Sequence, residues 1–126
     1  GALELLVKAG CDVNQASKDG RTPAFVAAEC GQTAALGILV NAGCDMNQAY
    51  KNGGTPALLA AQNGQTAALE LLVKAGCDTN QSDMNGSTPA FTAAEKGHTA
   101  ALKLLVKAGC DVNQSMNDGA TPALIA

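Results

Sequence analysis

The sequence predicts an all-α fold, a solenoid of helix-turn-helix repeats of 33 residues with hairpin-like loops between them. The tripeptide Thr-Pro-Ala recurs at a constant interval of 33 residues, beginning at Thr22, Thr55, Thr88 and Thr121. Gly-Cys-Asp and Asn-Gln recur at the same interval, first at Gly10 and Asn14. A fixed period of about 20–50 residues is typical of stacked repeats, whose extended surface suits the binding of another macromolecule.

The first helix of each repeat is predicted to begin at the Thr-Pro pair. In the repeat around Thr55, the threonine is a good N-cap, and Pro56 loses no hydrogen bond at the first helical position. The apolar run that follows predicts a helix to about Gln62, which Gly64 ends by adopting a left-handed conformation. Isolated helices need about 12–15 residues for stability, so neighbouring repeats must hold this short one.

The second helix is predicted to extend from Thr66, as its N-cap, to about Ala75. Leucines at helical spacing, such as Leu69 and Leu72, predict its buried stripe. Each connection to the next repeat contains an Asp-Gly or Asn-Gly pair, which adopts positive φ easily and predicts a tight turn. These pairs begin at Asp19, Asn52, Asn85 and Asp118.

The repeat resembles the ankyrin repeat over essentially the whole chain. The resemblance rests on the order and spacing of residues 52–57, the Ala60-Ala61 pair, Gly64, residues 69–73 and residues 76–80. It implies an ankyrin-type α-solenoid that acts as a protein-protein interaction module. It also implies that the turn tips and the first helices line a concave binding face, which we call the concave face.

The chain departs from the family pattern at three positions. The Leu-His pair that follows proline in the family is Ala-Phe or Ala-Leu here, and we expect the larger residue to pack between repeats. These residues are Phe25, Leu58, Phe91 and Leu124. The second-helix histidine is kept only at His98, where we expect a capping role or a local hydrogen bond. Cysteine replaces an alanine in every repeat.

We expect one continuous array over residues 1–126, an excerpt of a longer one, because the chain starts and stops inside a unit. It divides into a partial first unit 1–16, full units 17–49, 50–82 and 83–115, and a partial last unit 116–126. Solenoids normally need polar capping repeats for solubility. We therefore expect weak end-to-end self-association of this fragment.

Composition argues against several classes of function. The formal net charge of −3 does not fit the clustered basic face that nucleic-acid binding needs. No apolar run approaches the roughly 18 residues of a membrane span. The sequence has no glycine-rich phosphate loop, no Ser/His/Asp set and no metal-ligand cluster. We therefore expect a protein partner rather than nucleic acid or membrane, and no cofactor, bound metal or enzymatic activity.

Four of the five cysteines are repeat-equivalent, and we expect them to be small buried residues. They are Cys11, Cys44, Cys77 and Cys110. Disulfides between repeats are excluded because stacked helices lie about 8–10 Å apart, beyond disulfide reach. Cys30, at a first-helix end, is expected to be an accessible free thiol. Unpaired thiols favour a reducing compartment, so we expect the cytoplasm and leave the nucleus open.

The candidate partner-binding residues are those that differ between otherwise similar repeats. On the turn tips they are Lys18, Arg21, Tyr50, Lys51, Asn52, Met84 and Asn85, and at the first-helix ends Glu29, Gln62, Glu95 and Lys96. Tyrosine, arginine and methionine are enriched in interfaces. The competing interpretation is that these positions drift freely in solvent. The matching alternative function is a structural spacer or cap in a larger multidomain protein, without its own partner.

Overall fold

A computed structural model describes residues 17, 18 and 20–110, which fold into three pairs of α-helices. The pairs are α1 (Pro23–Cys30) with α2 (Thr33–Asn41), α3 (Pro56–Gln62) with α4 (Thr66–Lys74), and α5 (Pro89–Glu95) with α6 (Thr99–Lys107). The described residues contain no strand, and the predicted all-α helix-turn-helix fold is confirmed.

The helices form two layers. The first helices contact one another in chain order, α1 on α3 and α3 on α5, and the second helices do the same. Each first helix also packs on the second helix of its own pair. Alanines of the first helices, such as Ala60 and Ala61, are fully buried and let the backbones approach closely. Leu36, Leu69 and Leu105 of the second helices complete the core.

The first helices begin as predicted. The Oγ1 atoms of Thr22, Thr55 and Thr88 each accept a hydrogen bond from the backbone N–H three residues later, at 3.1–3.2 Å. Helix α3 ends at Gln62, and Gly64 follows with a φ of 68°, in the left-handed region. The large residue three positions after each of these caps is also buried, as expected. Phe25 and Leu58 are each 3 % exposed, and Phe91 is 4 % exposed.

The predicted N-cap of the second helix is wrong by one residue. Helix α4 begins at Thr66 itself, and Gln65 holds the N-cap position without a side-chain capping bond. The cause is the tight turn between the helices, in which the backbone N–H of Thr66 donates to the Gly64 carbonyl at 3.0 Å. The helix ends at Lys74, and Ala75, which the sequence placed inside it, is the C-cap.

The turns that join successive pairs share one backbone form. In the turn at 50–54, the N–H of Tyr50 donates to the Gly54 carbonyl at 2.7 Å, and the N–H of Gly53 returns to the Tyr50 carbonyl at 2.8 Å. Gly53 has a φ of 86°, which suits glycine. The turns at 17–21 and 83–87 repeat both bonds. The predicted tight turns are confirmed for the described residues.

The loops after the second helices are tied together by polar side chains. Asp45 and Asp78 each accept a bond from the backbone N–H two residues later, at 3.0 and 2.9 Å. The Asn47 side chain reaches the next repeat, where its Oδ1 accepts from the Asp78 N–H at 2.9 Å. Gln81 Nε2 donates back to the Asn47 carbonyl at 3.1 Å. These loop residues therefore hold neighbouring repeats in register.

Some sequence predictions fall on residues 1–16, 19 and 111–126, which lie outside the described residues. They include the burial of Cys11 and Leu124, the partial terminal units and the end-to-end association. The division into units stays a prediction. Within the described part of the chain, no helix combines the length and the apolar character that crossing a membrane requires.

Candidate functional site

A depression of about 230 Å³ opens on the concave face. Its floor is apolar and consists of Phe25, Leu58 and Leu59. Its walls are polar and come from three successive repeats, namely Arg21, Glu29, Tyr50, Asn52, Gln62 and Asp83. The structure therefore brings together five of the candidate residues that the sequence predicted: Arg21, Glu29, Tyr50, Asn52 and Gln62.

Tyr50 is fixed in this wall by two neighbours. Its ring stacks on Phe25 with ring centroids 5.2 Å apart and an interplanar angle of 26°. The guanidinium carbon of Arg21 lies 5.5 Å from the centroid of the Tyr50 ring. A cation–π contact of this kind contributes about 0.5–1 kcal/mol at an exposed site. Tyr50 consequently presents its exposed part from a held position rather than from a mobile side chain.

The side-chain hydrogen bonds of the three turns differ at the position that Tyr50 holds. In the first and third turns, Ser17 and Asp83 accept a hydrogen bond from the backbone N–H four residues later, at 3.2 and 3.0 Å. Tyr50 holds the equivalent position in the second turn, and its ring reaches Phe25 instead. There, Asn52 Oδ1 supplies a different bond, accepting from the Gly54 N–H at 2.9 Å. The second turn thus keeps its shape and gains an aromatic ring on the concave face.

The other candidate residues lie outside the depression and are exposed. They are Lys18, Lys51, Met84 and Asn85 on the turn tips, with Glu95 and Lys96 at the end of α5. The Met84 side chain is 70 % exposed, although its backbone N–H donates to the Asn52 carbonyl of the preceding tip at 2.9 Å. An exposed methionine on an anchored backbone is suited to contacting a partner.

Four residues of the depression were not among the predicted partner-binding residues. Phe25 and Leu58 were predicted only to pack between repeats, and Leu59 and Asp83 had no predicted role. Leu59 is half-buried and stands where the neighbouring repeats have Val26 and Thr92. Asp83 is the repeat equivalent of Tyr50. Both positions vary between repeats, so the criterion that selected Tyr50 could also have selected them.

His98 links two repeats, and the expectation of a cap or a local bond was wrong. It sits at the N-cap position of α6 but makes no side-chain capping bond. Its Nε2 lies 3.1 Å from the Gln62 carbonyl oxygen at the end of α3. A carbonyl only accepts, so Nε2 carries the proton in this bond. The ring also lies over Gly64, where an added Cβ would approach it to 2.9 Å.

The cysteines behave largely as predicted. Cys30 is exposed, Cys44 and Cys77 are buried, Cys110 is half-buried, and none of these four is in a disulfide. Burial, reinforced by the neighbouring Asp78 carboxylate, raises the pKa of the Cys77 thiol to about 11. Burial and Asp45 likewise raise the pKa of Cys44. Both groups stay protonated thiols near neutral pH, which disfavours nucleophilic or metal-binding roles. The described residues contain no cluster of potential metal ligands.

The opposite layer carries a second cleft, between α2 and α4, of about 370 Å³. It is lined by Thr33, Ala67, Glu70, Leu71 and Lys74. Glu70 and Lys74 form an i,i+4 ion pair, with Oε1 and Nζ 2.8 Å apart, and the hydrogen bond from Lys74 lowers the pKa of Glu70. The two charges of this cleft thus pair with each other, whereas the concave face gathers polar groups from three repeats.

The comparison with protein families matches the geometry. The family model described as ankyrin repeats (3 copies) matches residues 1–83 and 58–126, which together span the chain. No curated protein sequence matches the chain.

Proposed function

The chain belongs to the ankyrin repeat family, and from that premise we propose that it binds a partner protein through its concave face. Repeats of this family are generally protein-interaction modules and are generally non-enzymatic. The observation that carries the proposal is the depression, whose apolar floor is bordered by polar groups from three repeats. Protein interfaces commonly combine a hydrophobic centre with a polar rim.

Two residues are suited to act as anchors. Tyr50 is held against Phe25 and Arg21, and Met84 is 70 % exposed on a backbone tied to the preceding tip. Binding costs entropy for every side chain that becomes ordered, so a residue already held in place loses less. Aromatic residues that are partly buried beside an apolar pocket are frequent hot spots.

We propose a binding role without catalysis. Asp83 Oδ1 accepts two backbone N–H groups, from Asn85 and Ser87, at 2.9 and 3.0 Å, so this oxygen holds the turn together. The Arg21 guanidinium lies on the Tyr50 ring. These contacts hold a turn and an aromatic ring in place, whereas general acid–base chemistry uses a base aimed at the proton it removes. This use of the polar groups supports recognition rather than reaction.

A structural spacer or cap within a larger protein is the second candidate function. One observation favours it, because Tyr50 already contacts both Arg21 and Phe25 of the preceding repeat. Residues selected for that contact would vary between repeats without any partner. The two candidates differ in whether changes on the concave face alter binding or only stability.

Affinity capture with quantitative mass spectrometry tests the proposal. The bait is the full chain, compared with Tyr50→Ala/Met84→Ala on the concave face and with Glu70→Ala/Leu71→Ala on the second-helix layer as a matched control. We expect proteins retained by the wild type and the control to fall at least tenfold on the concave-face variant. Retention by that variant, with loss on the control, would place the site on the opposite layer. Equal captures on all three baits would favour the spacer.

We also propose a cellular location and a self-association for this fragment. The free thiols, two of them buried, support a reducing intracellular location, cytoplasmic with the nucleus left open. A thiol count on protein isolated from its source under alkylating conditions tests this location. Weak end-to-end association of this fragment concerns residues outside the described ones, and sedimentation velocity over a concentration series tests it.

A further inference from the structure

We propose that the depression on the concave face binds a lysine or arginine side chain of the partner protein. This inference rests on the proposed function and specifies the chemistry of what the depression binds. It follows from three properties of the lining residues: their charge, their apolar surface, and the occurrence of two acidic positions in different repeats.

The charge of the lining favours a cation. Glu29 and Asp83 supply two carboxylates, and Arg21 supplies one guanidinium. The Arg21 charge already has an attractive neighbour, because its guanidinium carbon lies 5.5 Å from the Tyr50 ring centroid. Asp83 Oδ1 accepts two backbone N–H groups, and a carboxylate offers about four acceptor positions. The lining therefore retains anionic acceptor capacity that a positive side chain complements.

The floor favours a long side chain with methylene groups. Phe25 and Leu58 are almost fully buried, so the apolar surface open to a side chain comes chiefly from the half-buried Leu59 and Tyr50. Lysine and arginine cover apolar surface with their stems while the charged head remains at the polar edge. An acidic side chain would meet two carboxylates and one guanidinium, which already lies over the Tyr50 ring. A purely apolar one would remove water from Glu29 and Asp83 without replacing their hydrogen bonds.

The two carboxylates occur together at this position of the array but not at the equivalent position one repeat further along the chain. Glu29 comes from the end of α1, and Asp83 comes from the turn two repeats later. One repeat further along the chain, the equivalent residues are Gln62 and Met116, neither of which is charged. A partner that inserts a cation therefore has a defined register on an otherwise repetitive surface.

Selection of peptides from a random 12-residue phage library against the full chain tests the inference. We expect the selected peptides to carry lysine or arginine at one fixed position. Replacing that lysine with norleucine, which keeps the methylenes and removes the charge, should weaken binding about fivefold in a titration. Raising the salt concentration should reduce the difference between the two peptides.

Variants that remove a carboxylate charge and keep the size of the side chain test which residues contact the cation. Glu29→Gln introduces the residue found at position 62, and Asp83→Asn keeps the Oδ1 acceptor that the turn uses. Each should weaken the lysine peptide about 2–5-fold and leave the norleucine peptide unchanged. Glu70→Gln and Asp78→Asn are matched controls with the same change in net charge. Asp78 accepts a backbone N–H two residues on, as Asp83 does, but belongs to the loop after α4 rather than to a turn tip or a first helix. Neither control should weaken the lysine peptide.

The outcomes separate this inference from the function on which it rests. Two results would contradict the cation site and still support the proposed function. In the first, peptides that lose binding with Tyr50→Ala/Met84→Ala carry an acidic or neutral residue at the fixed position. In the second, their binding is unchanged by Glu29→Gln and Asp83→Asn. A selection that yields no peptide sensitive to Tyr50→Ala/Met84→Ala contradicts both.

Discussion

The two contacts between successive described helix pairs, which we call joints, differ in the residue that donates a hydrogen bond to the end of the first helix. At the first joint, Asn63 Nδ2 donates to the Glu29 carbonyl at 3.2 Å. At the second joint, His98 Nε2 donates to the Gln62 carbonyl at 3.1 Å. Glu29 and Gln62 are equivalent positions, but Asn63 and His98 are not. The scaffold thus fixes where a donor is needed and leaves open which residue supplies it.

The joints also differ in how they fill the concave face. The first joint has an aromatic stack of Phe25 and Tyr50. At the second joint, the equivalent positions are Leu58 and Asp83, a smaller apolar residue and a carboxylate. The depression lies where the aromatic stack gives way to these residues. Variation between repeats therefore creates a local site without changing the fold.

The largest expected effect comes from removing the buried aromatic rings. Phe25→Ala and Phe91→Ala should each lower the free energy of unfolding by about 3–5 kcal/mol, because each ring is almost fully buried. Phe25→Ala should cost at least as much as Phe91→Ala, since it also removes the contact with Tyr50. Urea denaturation measures both. A loss below about 1 kcal/mol for Phe91→Ala would mean that the ring is not a packing residue.

The two helix-end bonds should differ in strength. His98→Ala is expected to cost about 0.5–1.5 kcal/mol, because it removes a part-buried hydrogen bond between repeats. Asn63→Ala should cost less, since its bond is exposed to water. His98→Gln, which introduces the residue of the other repeats, serves as the control for packing over Gly64. Equal costs for His98→Ala and Asn63→Ala in urea denaturation would contradict this difference between the joints.

A smaller effect is expected at alkaline pH. The folded state holds the Cys77 thiol proton more tightly than the unfolded state, because its pKa rises from 9.0 to about 11. Its contribution to stability is present below pH 9 and is lost as the pH rises towards 11. Melting temperatures measured across this range should fall less steeply for Cys77→Ala than for the wild type. Equal slopes for the wild type and Cys77→Ala would contradict the shift.

The same cysteines differ in reactivity at neutral pH. Titration of the folded protein with a thiol reagent should show a fast phase that Cys30→Ala removes, because Cys30 is exposed while Cys44 and Cys77 are buried. Cys44→Ala should leave that phase intact. Persistence of the whole fast phase in Cys30→Ala would show that another thiol is accessible.

The sequence predicted the caps and turns whose interacting residues lie within one repeat. The Thr55 cap, the left-handed Gly64 and the Asn52-Gly53 turn depend on residues a few positions apart. The bond from His98 to Gln62 spans 36 residues and depends on how two repeats stack. The gathering of Glu29, Tyr50 and Asp83 spans three repeats. Spacing along the chain identified the variable positions but not which of them meet.

Hydrogen–deuterium exchange of the full chain, with and without the captured partner, measures which layer of helices the partner covers. We expect slower amide exchange on binding in the turns at 50–54 and 83–87 and in α1 and α3, with α2 and α4 unchanged. Slower exchange confined to α2 and α4, with both turns unchanged, would contradict binding through the concave face.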